Sequence, residues 1–274
     1  MLPEYFSKDL KLRNLKNPLI ISGPCVVENR SVVFKTCEKI KEITTKLKLP
    51  FVFKSSYEKA NRTSGESFRG IGFDKALKIL EDVKKEFDVP ILTDVHAELE
   101  IGFVAEVADI IQIPAFLCRQ TNLLESAGET GKIINLKKGQ FVSPYDMKYQ
   151  AEKVLYTGNK KILLTERGST FGYNNLIVDM RSLVIMKKFG YPIIFDATHS
   201  VQMPSLNSGV SGGEPEFIAP LARAAAAVGV DGFFIETHPN PRNALSDGGN
   251  MLKLDKLEPL LRDLKFLHSK QFES

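Results

Sequence analysis

Cysteine is scarce: Cys25, Cys37 and Cys118 are the only three in 274 residues, and no CxxC spacing links them. A sparse, odd set of this kind argues against a disulfide framework and fits free thiols in a reducing compartment. A cytoplasmic location is therefore expected. Long apolar runs are also missing, since none reaches the roughly 18–20 residues that a membrane-crossing helix requires. The opening stretch MLPEYFSKDLKLRN has an early acid and no apolar centre, which is not the pattern of a secretory signal. No basic run with interleaved aromatics occurs, and a net charge of +4 is mild, so nucleic acid is a poor partner. The small positive excess is expected to act locally, on anionic small molecules. No low-complexity linker divides the chain.

What is present is a rhythm. Apolar residues make up 43% of the chain, enough for a substantial core. Short Val/Ile/Leu/Phe runs alternate with segments of helical spacing. The strands are expected at Leu19–Cys25, Phe51–Ser55, Ile91–Val95, Ile110–Ile113, Ile133–Lys137, Ile162–Thr165, Ile193–Ala197 and Phe233–Glu236. The helices between them are expected at Ser31–Leu49 (Ser31 as N-cap), Asp74–Phe87, Glu98–Val107, Thr121–Glu129, Pro144–Tyr156, Met180–Lys188 and Phe217–Val228. Leu254–His268 closes the series. Continuous rather than alternating apolar strands suit a parallel sheet buried on both faces. Eight such units in one chain of this size predict an α/β fold, a single (β/α)8 TIM barrel over residues 19–274. Residues 1–18 form an arm with no assigned structure. A doubly wound open sheet is the alternative, but no GxGxxG follows the first strand.

Polar residues gather at one end of the units. The C-terminal ends of the strands carry Cys25, Lys54, Asp94 with His96, Gln112, Lys137 with Lys138, Arg167, His199, and Glu236 with His238. In a (β/α)8 barrel these ends share the face on which catalytic groups assemble. The stretch KSSYEKANRTSGESFRG, Lys54 to Gly70, adds Lys59, Arg62 and Arg69 among hydroxyls. Cations of this kind hold phosphate or carboxylate through charge-assisted hydrogen bonds. Taken singly, such a lysine also fits a Schiff-base nucleophile or half of a structural ion pair. A second set, Cys25, His199, Glu236 and Asp247, has no short-range spacing. Barrel closure sets strand 8 against strand 1, with strand 7 beside strand 8, so these side chains suit a divalent transition metal. A packed thiol and a hydrogen-bonded loop histidine fit the same residues. His96 and His238 are candidates to support that site. Cys37 falls on a helix core face, Cys118 is open, and His268 near the end is expected in solvent.

Seven stretches resemble one family: SGPC (Ser22–Cys25), FKSSYEKANRTS (Phe53–Ser64), IIQIPAFLCRQT (Ile110–Thr121), NLKKGQF (Asn135–Phe141), LTERGSTFGYNNLIVDMRS (Leu164–Ser182), FDATHSVQ (Phe195–Gln202) and IETHPNPRNALSDGGN (Ile235–Asn250). The chain looks like the 3-deoxy-D-manno-octulosonate 8-phosphate (KDO8P) synthases from about Leu19 to the last helix. The related DAHP synthases, which use erythrose 4-phosphate, share the barrel and the GPC start. They have a KPR-type motif where this chain has Lys59-Ala60-Asn61-Arg62. The resemblance implies condensation of phosphoenolpyruvate (PEP) with D-arabinose 5-phosphate and water, a step toward the KDO of lipopolysaccharide. It implies that Lys54, Lys59, Lys137 and Arg167 hold PEP. Asn61, Arg62, Thr63 and Ser64 hold the sugar and its phosphate, and Asp94 and Gln112 line the pocket. Arg119 would reach a neighbouring subunit of a homotetramer. Metal-free members place Asn at the position of Cys25, so the resemblance is to the metal-dependent class. Cys25, His199, Glu236 and Asp247 would then hold one Zn, Fe(II) or Mn per chain, with Lys59, Lys137, Arg167 and His199 as the catalytic group. Thr63-Ser64 replaces the usual Ser-Ser, and Gly65-Glu66 replaces Ile-His.

Overall fold

The eight apolar runs become eight parallel strands: β1 Leu19–Gly23, β2 Phe51–Lys54, β3 Ile91–Asp94, β4 Ile110–Ile113, β5 Ile133–Lys137, β6 Ile162–Glu166, β7 Ile193–Asp196 and β8 Gly232–His238. They pair in chain order, and β8 returns to β1 in the register Leu19↔Gly232 through Gly23↔Glu236, which closes the barrel. The helices are α1 Arg30–Leu47, α2 Phe73–Phe87, α3 Ile101–Val107, α4 Thr121–Glu129, α5 Met147–Tyr156, α6 Arg181–Lys187, α7 Ile218–Val228 and α8 Leu257–Lys270. The architecture is thus the expected (β/α)8 barrel. This computed structural model describes residues 2–60, 67–207 and 210–270. Among them, no helix is long and apolar enough to cross a membrane.

The differences from expectation lie at element ends. The first turns of three expected helices are 3-10 segments, Glu98–Glu100, Pro144–Asp146 and Leu254–Lys256. Asn29, not Ser31, caps α1: its backbone is extended and its side chain accepts the Val32 N–H at 2.9 Å. Two short antiparallel pairs, Ser169–Thr170 with Leu176–Ile177 and Gln202–Asn207 with Val210–Gly213, extend the connections after β6 and β7. His268 is buried rather than solvated, because it continues the Leu260, Leu264 row on the inner face of α8.

Alternation along the strands divides the core in two. Ile20, Phe53, Ile91, Ile111, Ile134, Leu164, Phe195 and Phe233 face outward and pack with the helices. Val52, Leu92, Ile110, Ile133, Leu163, Ile194 and Phe234 belong to a separate interior cluster with Leu19 and Ile21. Two residues further along those same inward rows stand Lys54, Asp94, Gln112, Asn135, Thr165, Asp196 and Glu236, every one of them buried. The barrel interior therefore changes from aliphatic to polar within two residues. Gly232 opens β8 where a Cβ would lie 2.7 Å from the Leu19 carbonyl oxygen, so the closing strand has no room there for a side chain.

The arm seals the aliphatic end. A single helical turn, Tyr5–Lys8, carries Phe6 with no exposed surface, and Leu2, Phe6 and Leu10 join the interior cluster. Phe6→Ala should accordingly cost about 3–5 kcal/mol of stability, the usual range for a buried aromatic. Urea unfolding followed by circular dichroism measures it. A loss below about 0.5 kcal/mol, the level of a surface substitution, would make the arm an accessory rather than part of the core.

Candidate active site

The loops after the strands meet around a cavity of about 140 Å³, lined among others by Lys54, Lys59, Asp94, His96, Gln112, Lys137, Gln140, Arg167, His199 and Asp247. A larger cleft of about 490 Å³ lies at the opposite end of the barrel. There Lys41 and Lys84 donate to the carbonyl groups of Phe87 and Val107, so two of its cations serve helix ends.

Gly23 starts the site. A Cβ there would sit 2.0 Å from the Lys54 carbonyl oxygen, so only glycine lets β1 and β2 end side by side. The chain then turns through Pro24 to Cys25, whose carbonyl accepts Lys54 Nζ at 3.0 Å. Lys54 also donates to Glu236 Oε1 at 2.5 Å, both side chains out of solvent. Burial alone would raise the Glu236 pKa. Lys54 first, then His199 and Lys59, outweigh it and hold the carboxyl well below the usual range.

Asp94 is gripped from three directions: the Gln112 amide donates to Oδ1, Ser56 Oγ donates to Oδ2 at 2.5 Å, and Lys59 Nζ lies 3.9 Å from Oδ2. Lys59 donates to Ser56 Oγ at 2.9 Å. Gln112 Oε1 accepts Asn135 Nδ2 at 2.8 Å, and Asn135 Oδ1 accepts the Thr165 hydroxyl at 2.6 Å. This chain of bonds crosses β3 to β6 beneath the cavity. Burial disfavours the Asp94 carboxylate, yet Lys54 and Lys59 keep it ionised, far below its ordinary pKa.

Lys137 donates to Asp196 Oδ2 at 2.5 Å and rests 3.7 Å above the Phe234 ring. Burial pulls its pKa down, Asp196 opposes, and nearby Lys54 adds to the lowering. Arg167 donates from Nη2 to Gln202 Oε1 at 2.8 Å. Its buried Nη1 has no hydrogen-bond partner among the described residues, nor has Gln140 Oε1, and both residues line the cavity. A bound anion would satisfy that guanidinium.

Three of the second set, Cys25, Glu236 and Asp247, come together, and His199 lies outside that group. Cys25 Sγ, a Glu236 carboxylate oxygen and an Asp247 carboxylate oxygen lie within 4.8 Å of one another. Cys25 Sγ is 3.2 Å from Asp247 Oδ2 and 3.0 Å from Ser246 Oγ. His199 stands at the edge: Nδ1 meets Asp196 Oδ2 at 2.8 Å, while Nε2 faces Glu236 Oε2 at 3.6 Å. Glu236 Oε2 has no hydrogen-bond partner among the described residues. Burial first, then Asp247 and Glu236, push the Cys25 thiol far up. A thiol, two carboxylates and an imidazole fixed by a carboxylate make a donor set suited to zinc or ferrous iron.

Several expected residues fall elsewhere. Asn61, Arg62, Thr63 and Ser64 lie outside the described residues. Arg119 is exposed and outside the cavity of its own chain, although Ala115, Phe116 and Leu117 from the same turn line it. Lys138 points away from its neighbour, buried with Glu166 at 3.4 Å and Ser169 Oγ at 2.9 Å. Cys37 and Cys118 are buried free thiols. His96 lines the cavity, held through Nδ1 by the Tyr57 hydroxyl at 3.1 Å. His238 lies 3.6 Å from Glu28. Sequence reading missed Asp196, Gln140 and Gln202. Asp196 shares a row with Ile194, two positions earlier, but the sequence does not say which row faces inward; Gln202, at the root of a hairpin, left no signal at all.

The chain is similar to known proteins over most of its length. A family model, the DAHP synthetase I family, matches residues 11–271. The 2-dehydro-3-deoxyphosphooctonate aldolase of Acidithiobacillus ferrooxidans (strain ATCC 53993 / BNL-5-31) is 52% identical over 254 residues, covering 92% of this chain and 90% of that protein. Proteins of the same name from Legionella pneumophila (strain Lens) and Dichelobacter nodosus (strain VCS1703A) are 53% and 52% identical. They cover 92% and 94% of this chain, and the same shares of their own lengths. With its barrel, its buried cations and these relatives, the chain belongs to the DAHP synthetase I family, among the 2-dehydro-3-deoxyphosphooctonate aldolases.

Proposed function

We propose that this protein condenses PEP with D-arabinose 5-phosphate and water to give KDO8P and phosphate, in the cytoplasm. The observation that carries the proposal is the convergence of Lys54, Lys59, Lys137 and Arg167 on one small cavity, with a guanidinium nitrogen that has no hydrogen-bond partner among the described residues. PEP bears a phosphate and a carboxylate, and this cation set matches both. Because the carboxylates Glu236, Asp94 and Asp196 already fix the lysines, little reorganisation accompanies binding or reaction. The same pairing suits electrostatic service better than an amine nucleophile.

In the reaction, PEP C3 forms a bond to the sugar aldehyde carbon, whose oxygen takes up a proton. Positive charge develops at C2, water adds there, and the C2–O bond to phosphate breaks, leaving the new keto group; of the two protons the water gives up, one matches that taken by the aldehyde oxygen and the other leaves with phosphate. Lys59, Lys137 and Arg167 hold the phosphate and carboxylate in line throughout, and Asp94 with Gln112 forms the wall beside the reacting carbons. Cys25, His199, Glu236 and Asp247 would hold one divalent metal, zinc, ferrous iron or manganese. Asp196 would keep the His199 proton on Nδ1 so that Nε2 faces the ion. Such an ion would polarise the aldehyde or orient the sugar, or acidify a bound water.

The sugar phosphate falls to Asn61, Arg62, Thr63 and Ser64, and Arg119 serves a neighbouring subunit of a homotetramer. Exposed Phe116, Phe141, Tyr145 and Tyr149, on the units flanking Arg119, supply apolar surface for such an assembly.

Arabinose 5-phosphate should be turned over far better than erythrose 4-phosphate; phosphate release with each acceptor tests this, and equal kcat/KM values would refute it. Arg167→Ala should lower kcat/KM for PEP by roughly 2–4 kcal/mol of transition-state binding with the circular dichroism spectrum unchanged. As isolated, the enzyme should hold about one divalent metal per chain, and a strong chelator should abolish activity until metal returns. Cys25→Ala should lose metal and activity together, whereas Cys25→Asn should bind metal weakly yet retain chelator-resistant turnover. Full activity of the unaltered enzyme in excess chelator, with no metal by elemental analysis, would reduce Cys25 to a packed thiol.

A further inference from the structure

Glu28 sits three residues beyond Cys25 and is turned away from the cavity, buried against the loop that follows β8. One carboxylate oxygen, Oε1, accepts the backbone N–H of Leu245 at 2.8 Å, and the other, Oε2, lies 3.6 Å from His238 Nε2. His238 is buried too. Its Nδ1 accepts the Asn240 backbone N–H at 3.0 Å, so the ring proton of the neutral form resides on Nε2, facing Glu28.

The loop so gripped carries Asp247, two residues beyond Leu245. Asp247 has φ +48°, in the left-handed region that Asp enters more readily than most residues other than glycine, and the loop around it is tightly folded. A Cβ on Gly248 would lie 2.3 Å from the Pro241 carbonyl oxygen, so the loop folds tightly on itself, and Asn250 Nδ2 ties its far end to the Thr198 carbonyl at 3.2 Å. Ser246 Oγ and Asp247 Oδ2 both close on Cys25 Sγ.

We infer that Glu28 is a positioning residue that clamps the β8 loop to the Cys25 loop and so sets the separation of Cys25 and Asp247. Glu28 touches neither cavity nor thiol. It acts on them through the backbone at Leu245. The inference rests on reading Cys25, His199, Glu236 and Asp247 as metal ligands, and it adds what holds two of them in register.

The test uses the full-length protein with zinc as probe and two readouts. Zinc affinity is measured by competition with a chromophoric chelator, and the alkylation rate of Cys25 by iodoacetamide is followed by mass spectrometry in the metal-stripped protein. Glu28→Ala should weaken zinc binding ten- to a hundredfold, the range typical of groups that orient metal ligands. It should also speed Cys25 alkylation, because Ser246 and Asp247 no longer stay seated on the thiol. Glu28→Gln, near in shape and able to accept from Leu245, should fall between the wild type and the alanine variant, and it serves if the alanine variant does not fold. Unchanged zinc affinity and unchanged alkylation in both variants would overturn the clamp. Faster alkylation in a protein whose wild type binds no zinc would instead retain the clamp and remove the metal reading.

Discussion

Charges taken wholly out of water must find partners, and that requirement organises the C-terminal half of the barrel. Lys54, Asp94, Asp196 and Glu236 are buried on the inward faces of their strands, and each is matched within hydrogen-bond reach. Pairs of this kind add little net stability, because desolvation consumes what attraction returns, whereas removing one partner leaves a stranded charge. Their presence is therefore an argument about position rather than stability. Stability is carried beneath them, by the aliphatic layers and the arm that seals them.

Two carboxylates bind the halves of the site into one unit. Glu236 meets Lys54 with one oxygen and turns the other toward His199 and the Cys25–Asp247 group. Asp196 holds Lys137 and His199 through the same oxygen, and its other oxygen accepts the His199 N–H at 2.9 Å. The cation row and the ligand row consequently share their counter-charges. Substitutions in one half will be felt in the other, as in any network whose members satisfy one another.

Much of this was legible. Strands buried on both faces read as unbroken apolar runs, so all eight stood out, and the polar residue ending each run marked the catalytic face. What single-chain reading could not supply was direction. Lys137 and Lys138 are adjacent and chemically alike, yet one enters the cavity and the other pairs with Glu166 outside it. Asp196 looked like an ordinary strand end until register placed it between Lys137 and His199. The hairpin rooted at Gln202 has no apolar alternation to announce it. Asn29 took the cap from Ser31 because its extended backbone, not its residue type alone, brought an oxygen to the Val32 N–H.

The amino-acid order by itself determined the number of units, their parallel arrangement and the chemical types at the functional end. These follow from hydrophobic period and from local backbone chemistry, which act over a few residues. The tertiary structure alone decided which of those groups meet. Cys25 and Asp247 are separated by most of the chain, and they touch because β8 pairs with β1 in one register. A shift of one residue would turn Glu236 out of the barrel and Ile235 into it. Closure, register and the alternation of side chains convert a scattered set of cations, carboxylates and one thiol into a site.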